Sequence, residues 1–197
     1  KHIQLEGTYF DSCTVAGAGF VNFTLSKDFY ADILLDVKAL GKDYGRSNYG
    51  EGKRINVEFV SANPTGPMHL GNARGGALGD ILAECLAWAG YDVTREFLIN
   101  DAGNQIHKFA VSINARYMQL ILGEDGFAFP EEGYHGDDIK EMAKLIVEQD
   151  GDKWVNVDSA ERQQAFVEFG LPRNIERMKR DLARYRVNFD NWFLESS

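Results

Sequence analysis

Between residues 55 and 90 the chain changes from a period of two to a period of about four, and the change is made through one distinctive turn. Ile55, Val57 and Phe59 alternate as a buried strand does, and Ala73, Ala77, Ile81, Cys85 and Ala89 recur at helical spacing, with Gly90 as a C-terminal cap. The turn between them reads Asn63-Pro64-Thr65-Gly66-Pro67-Met68-His69-Leu70-Gly71-Asn72-Ala73-Arg74-Gly75-Gly76. The helix therefore starts at or just after His-Leu-Gly-Asn, where unpaired backbone N–H groups and the positive end of the macrodipole favour an anion such as phosphate.

The tetrapeptide has its own chemistry. His69 and Asn72, three residues apart, can both reach one edge of the helix start and donate hydrogen bonds to phosphoryl oxygens. Gly71, without a side chain, would let a base or ribose lie against the backbone. The run is neither Gly-x-Gly-x-x-Gly nor a Lys-Ser/Thr P-loop, so the common dinucleotide and P-loop readings lose their support.

Around this unit the pattern is α/β. Val21, Phe23 and Leu25 alternate as a strand, followed by a helical stripe of Phe29, Ile33, Leu34, Val37 and Leu40, so residues 1–40 read as part of a small α/β domain. Residues 41–53, with glycines at 41, 45, 50 and 52, read as a linker. Residues 54–197 form a second domain with a Rossmann-like parallel sheet. A strand through Val93, Arg95, Phe97 and Ile99 completes a βαβ unit, and Asn100-Asp101-Ala102-Gly103-Asn104 ends that strand at the carboxyl edge where α/β sheets bind ligands.

A helical region spans residues 105–186. One stripe runs through Ile106, Phe109, Ala110, Ile113, Tyr117, Leu120 and Ile121 to Gly123, and another through Ile139, Met142, Ala143 and Ile146. Asp158 or Ser159 caps a third helix ending at Gly170, and Pro172 opens a fourth carrying Ile175, Met178, Leu182 and Tyr185. Val187 to Phe193 returns to extended, aromatic-rich chain.

Charge and cysteine content narrow the partners. The 197 residues carry 21 Lys plus Arg against 30 Asp plus Glu, a formal charge of −9. That is the wrong sign for generic nucleic-acid affinity, so no DNA partner is expected and any RNA contact must be local. Cys13 and Cys85 have neither metal-ligand spacing nor a disulfide framework, which fits a reducing, cytoplasmic location. No apolar run is long enough to span a bilayer. His107 and His135 read as structural or exposed residues, since no second metal-type residue stands at a suitable spacing.

The stretch from Val57 to Ile106, Val-Glu-Phe-Val-Ser-Ala-Asn-Pro-Thr-Gly-Pro-Met-His-Leu-Gly-Asn through Ile-Asn-Asp-Ala-Gly-Asn-Gln-Ile, closely resembles the class I arginyl-tRNA synthetases. His-Leu-Gly-Asn stands where that class usually reads His-x-Gly-His. The resemblance gives His69 the role of the first histidine and puts Asn72, an N–H donor that never carries positive charge, in place of the second. Pro67, His69, Gly71 and Asn72 are then the ATP contacts, with His69 and Asn72 catalytic. Ser61, Asn63 and Glu195 match positions used for arginine, while Asn100, Asp101 and Gln105 form a possible active-site turn. Residues 1–40 resemble the end of the family's N-terminal tRNA-binding domain, with Ala16 to Phe23 matching its strand and Phe20 and Asn22 falling at possible tRNA contacts. Phe20 as core and Asn22 as a solvated strand residue is the equally weighted alternative.

The resemblance implies ATP-dependent attachment of arginine to its tRNA through arginyl-adenylate, with Mg²⁺ accompanying the nucleotide and no structural metal. Its lysine-bearing second motif and further guanidinium ligands have no counterpart here, so the chain alone is expected to be inactive. Two alternatives stand beside this reading. The cysteinyl enzyme shares the nucleotide motif but needs a cysteine-rich zinc site that Cys13 and Cys85 cannot supply. A non-catalytic RNA-binding module would need a basic surface that the composition lacks.

Overall fold

A computed structural model describes residues 2–197. The chain divides into two compact units, the first ending at Ser47 and the second running Asn48–Ser197.

In the first unit, β1 (Phe10–Ala16) pairs antiparallel with β2 (Phe20–Leu25), with Ala16 opposite Phe20. Residues 17–19 make the turn, at φ +58° for Gly17 and +96° for Gly19, conformations that glycine adopts without steric cost. The run Ala16 to Phe23 is thus a turn followed by a strand start, not one strand. Helix α1 (Lys27–Leu40) is capped by Ser26, whose Oγ accepts from the Phe29 N–H at 3.3 Å. Its apolar stripe is not covered within the unit, and Leu34 is 68% exposed.

The second unit is built on a parallel sheet of β3 (Arg54–Glu58), β4 (Asp92–Ile99) and β5 (Asn191–Leu194), in that order. Helix α2 (Leu70–Trp88) connects β3 to β4, and α3 (Asn104–Leu122), α4 (Asp137–Asp150) and α5 (Ser159–Arg184) lie between β4 and β5. Part of the glycine-rich run before β3 is built into this unit. Gly50 N–H donates to Ala89 O at 2.7 Å and Gly52 N–H to Gly90 O at 2.8 Å. A Cβ on Gly50 would lie 2.6 Å from the Tyr91 ring, so that approach requires glycine.

Two helices differ from the sequence reading. On α2 the buried residues are Gly76, Gly79 and Ala83, whereas Ile81 is 62% exposed and Cys85 is also exposed. The small residues win that face because the helix lies directly on Phe59: a Cβ on Gly79 would be 2.2 Å from its ring. The expected third and fourth helices are one, α5, with Pro172 inside it. Phe166, Gly170, Asn174, Met178 and Leu182 form a single buried stripe at i, i+4 spacing that crosses the proline. Gly170 does not end the helix; it lets α5 approach the Phe109 ring, 2.9 Å from where a Cβ would stand. Arg173 donates to the Phe169 carbonyl at 2.6 Å in the turn that the proline disturbs.

Two apolar clusters hold the unit. Phe109, Ile113, Tyr117, Ile139, Ala143, Ile146 and Phe166 join α3, α4 and α5, while Phe59, Phe97, Ile99, Met178, Leu182 and Val187 pack α5 on the sheet. Arg162, 5% exposed, fixes the loop before α5: its Nε donates to Asn114 Oδ1 at 2.5 Å and its NH1 to the carbonyls of Trp154, Val155 and Val157. A buried guanidinium is tolerable there because its donors meet acceptors.

Candidate functional site

The chain leaves β3 through a strained turn. Val60 and Ser61 both have positive φ, +66° and +42°. For a β-branched valine this is an unusual conformation, with a strain of about 1–3 kcal/mol. Its surroundings hold it. Ser61 N–H donates to Phe59 O at 2.9 Å, and Ser61 Oγ accepts from the Leu98 N–H of β4 at 3.1 Å. Further on, the buried Pro64 carbonyl accepts from Asn174 Nδ2 of α5 at 2.9 Å. Sheet and crossover helix thus both fix the turn.

At its end the turn makes a reciprocal helix cap. His69 Nδ1 accepts from the Gly71 N–H at 3.1 Å, and Asn72 Oδ1 accepts from the His69 N–H at 3.0 Å. Each side chain spends an acceptor on α2 and keeps its donor: Nε2–H on His69 and the NH₂ on Asn72. Gly71 serves this cap. A Cβ there would lie 2.9 Å from His69 Cε1, so the glycine makes room for the imidazole folded over the helix start. The sequence reading had reserved that space for a base or ribose.

The turn forms one wall of a cavity of about 500 Å³, to which Ser61, Asn63, Pro67, His69 and Asn72 contribute; Gly71 does not line it. The opposite wall is the loop Tyr134, His135, Gly136 and Asp138 at the start of α4. Sequence reasoning set His135 aside and did not single out Tyr134 or Asp138. The loop is held from several sides. Tyr134 N–H donates to Ser112 Oγ at 2.8 Å, Tyr134 OH to Gln105 Oε1, and Lys108 Nζ meets Glu132 at 2.9 Å. The His135 ring packs on Phe129 with centroids 4.6 Å apart.

The remaining candidates lie elsewhere. Asn100 Oδ1 accepts from the Ala102 N–H at 3.4 Å, an Asx-type turn. Asp101 accepts from Ser196 N–H at 3.0 Å and Ser196 Oγ at 2.6 Å. Burial alone would raise the Asp101 carboxyl, but these Ser196 hydrogen bonds outweigh it and hold the group below the ordinary carboxylate range. Glu195 is exposed, and its N–H donates to Ile99 O at 3.0 Å. Asn100, Asp101 and Glu195 therefore cluster at the β4–β5 carboxyl edge and do not line the cavity. Gln105 joins the cavity wall only through Tyr134. In the first unit Phe20 is 73% exposed rather than core, and Asn22 lies opposite Thr14 on β2. Among the described residues no group of three or more His, Cys, Asp or Glu could hold a metal ion, and no helix is long and apolar enough to cross a membrane.

A parallel sheet whose first strand turns into a helix capped by a His-Leu-Gly-Asn box is the frame of the site, and the stretch that carries it is similar to the class I aminoacyl-tRNA synthetases. The family model described as tRNA synthetases class I (R), catalytic domain, matches residues 35–128. Relatives that the chain matches over its whole length are arginine–tRNA ligases. It is 56% identical over all 197 residues to the arginine–tRNA ligase of Ruminiclostridium cellulolyticum and 53% identical to that of Acetivibrio thermocellus, covering 35% of each relative. The chain thus spans about a third of the length of the relatives it matches. A solved protein from Campylobacter jejuni, provisionally described as an arginyl-tRNA synthetase, superposes with a TM-score of 0.75 at 30% identity, over 87% of this chain and 37% of that one. The arginyl-tRNA synthetase of Thermus thermophilus, 24% identical, shares the fold with a TM-score of 0.53 over 95% of this chain and 30% of its own.

Proposed function

We propose that this chain supplies the ATP-binding half of an arginine–tRNA ligase. Arginine carboxylate attacks the α-phosphate of ATP to give arginyl-adenylate and pyrophosphate, and a terminal ribose hydroxyl of the arginine tRNA then takes the arginyl group. The observation that carries this reading is the reciprocal cap, which leaves the His69 Nε2–H and the Asn72 amide as donors at the positive end of α2, beside a cavity. Donors already fixed where charge develops on phosphate lower the barrier without reorganising. In this role His69 and Asn72 are catalytic, Pro67 and the helix start complete the ATP contacts, and Ser61 and Asn63 face the arginine. Gly71 contributes indirectly, by admitting the His69 imidazole.

Mg²⁺ would arrive with the nucleotide, since magnesium is ordinarily held through substrate phosphates and water with one or two carboxylates, and Asp138 is the carboxylate on this cavity. Glu195, at the sheet's carboxyl edge, would meet arginine from the far side of the turn, and the Asn100–Gln105 segment would support it. Phe20 and Asn22 would contact tRNA from the first unit. Cytoplasmic translation is the setting this activity implies.

The test is tRNA-dependent ATP–pyrophosphate exchange on a chimera in which these 197 residues replace the matched segment of the Ruminiclostridium cellulolyticum relative, assayed against all twenty amino acids. Exchange with arginine alone is expected. Exchange driven by another amino acid, or none, would overturn the reading.

A further inference from the structure

We infer that His135 is a further positioning residue for the phosphate chain of ATP, holding it from the wall opposite His69 and Asn72. The inference rests on the cavity being the ATP site. Its polar side chains are Ser61, Asn63, Thr65, His69 and Asn72 from the turn, and Tyr134, His135 and Asp138 from the loop before α4. Among the described lining residues there is no lysine or arginine. A polyphosphate enclosed there needs donors in place of water. His69 has committed Nδ1 to capping α2 and Asn72 has committed Oδ1, leaving both donors on the same wall. The Tyr134 hydroxyl is spent on Gln105. His135 is therefore the imidazole that can reach the chain from the other side.

The loop is built to hold it there. A Cβ on Gly133 would lie 2.7 Å from the Phe129 ring, the same ring that supports the His135 imidazole. Gly133 N–H donates to Pro130 O at 3.0 Å, and the Tyr134 N–H is anchored on the buried Ser112. His135 is exposed apart from its Phe129 contact, so the ring is positioned yet accessible. Asp138 shares this wall, its Oδ2 standing 3.3 Å from where Gly66 would carry a Cβ. Its charge opposes a metal-free polyphosphate, and His135 must outweigh that term.

NMR titrations of the 197-residue chain with ATP, tripolyphosphate and adenosine, without divalent metal, test the assignment. His135→Ala is expected to weaken ATP and tripolyphosphate about tenfold or more, the scale of a hydrogen bond to a charged group, while leaving adenosine within about twofold. His135→Lys should restore most of the loss, and Asp138→Asn should tighten tripolyphosphate severalfold. Unchanged tripolyphosphate binding in His135→Ala, or an equal loss of adenosine, would overturn the inference. If His69→Ala abolishes ATP binding while His135→Ala does not, the cavity reading stands and the role of His135 falls. If the unaltered chain binds no ATP, both fall.

Discussion

Asn72 performs two tasks that one substitution can separate. Its Oδ1 accepts from the His69 N–H at 3.0 Å and caps α2, and its NH₂ remains as a donor facing the cavity. Asn72→Leu removes both, and loss of a cap at a partly exposed helix start costs about 0.5–2 kcal/mol. Asn72→Asp keeps the acceptor and adds a charge that the helix N-terminus favours by about 0.3–1 kcal/mol, so stability should match or exceed that of the unaltered chain. The carboxylate, however, faces phosphate. At about 4 Å two like unit charges repel by about 1 kcal/mol in water and about 4 kcal/mol at an effective dielectric of 20. ATP affinity should therefore fall by at least about fivefold, from that lower bound. Urea denaturation followed by circular dichroism reads the first task, and ATP titration reads the second. Asn72→His, which retains a donor of similar reach, should keep much of the ATP affinity. If Asn72→Asp is as destabilised as Asn72→Leu, the reciprocal cap is not what holds the start of α2. If it binds ATP as the unaltered chain does, the amide is not a phosphate donor.

Other consequences are independent of that site. Gly79→Ala drives a Cβ to 2.2 Å from the Phe59 ring, and overpacking of this kind should cost about 1–3 kcal/mol in urea stability. Arg162→Met takes the guanidinium donor from Asn114 Oδ1 and the carbonyls of Val155 and Val157, while the Trp154 carbonyl keeps only the Val157 N–H at 3.3 Å, and a loss of at least about 3 kcal/mol is expected by the same assay. Because the Asp101 carboxyl is held below its ordinary range, its stabilising contribution is present above the unfolded value and lost as pH falls through the lower folded one; Ser196→Ala should move its NMR titration upward. In the chimera, His69→Ala should lower adenylation about 10²–10³-fold with little effect on arginine binding, and a rate within about threefold would remove His69 from the mechanism. The isolated 197-residue chain, which spans about a third of the length of its relatives, should give no measurable exchange with arginine and tRNA.

The parts of the fold written in periodicity were legible in the sequence. The alternation leading to Phe59, the stripe from Ile106 to Tyr117 and the four-residue stripe of α4 became β3, α3 and α4 as read. Strand β1 was missed because its residues alternate no clear apolar and polar faces and a register irregularity falls between Phe10 and Ser12. The α2 stripe failed for a different reason: burial there was decided by how closely the helix approaches Phe59, and only glycine and alanine fit. On α5, local breaker signals at Gly170 and Pro172 were overridden by a buried stripe continuing across both, which a longer window of the same sequence would have displayed. The turn of the candidate site was visible as a motif, but its strain was not. Positive φ usually falls on glycine, and here it falls on Val60 and Ser61. The second wall was invisible for want of a long-range signal, since His135 and Asp138 meet the turn only through the packing of α3 and α4.

The central claim, that the cavity between the turn and the loop before α4 takes ATP, is tested most directly by mapping backbone amide shifts of the chain on titration with ATP. Perturbations concentrated at Ser61 to Asn72 and at Tyr134 to Asp138, and absent from His69→Ala, are the predicted result. Shifts confined to Asn100–Gln105 and Glu195, or unchanged by His69→Ala, would contradict it.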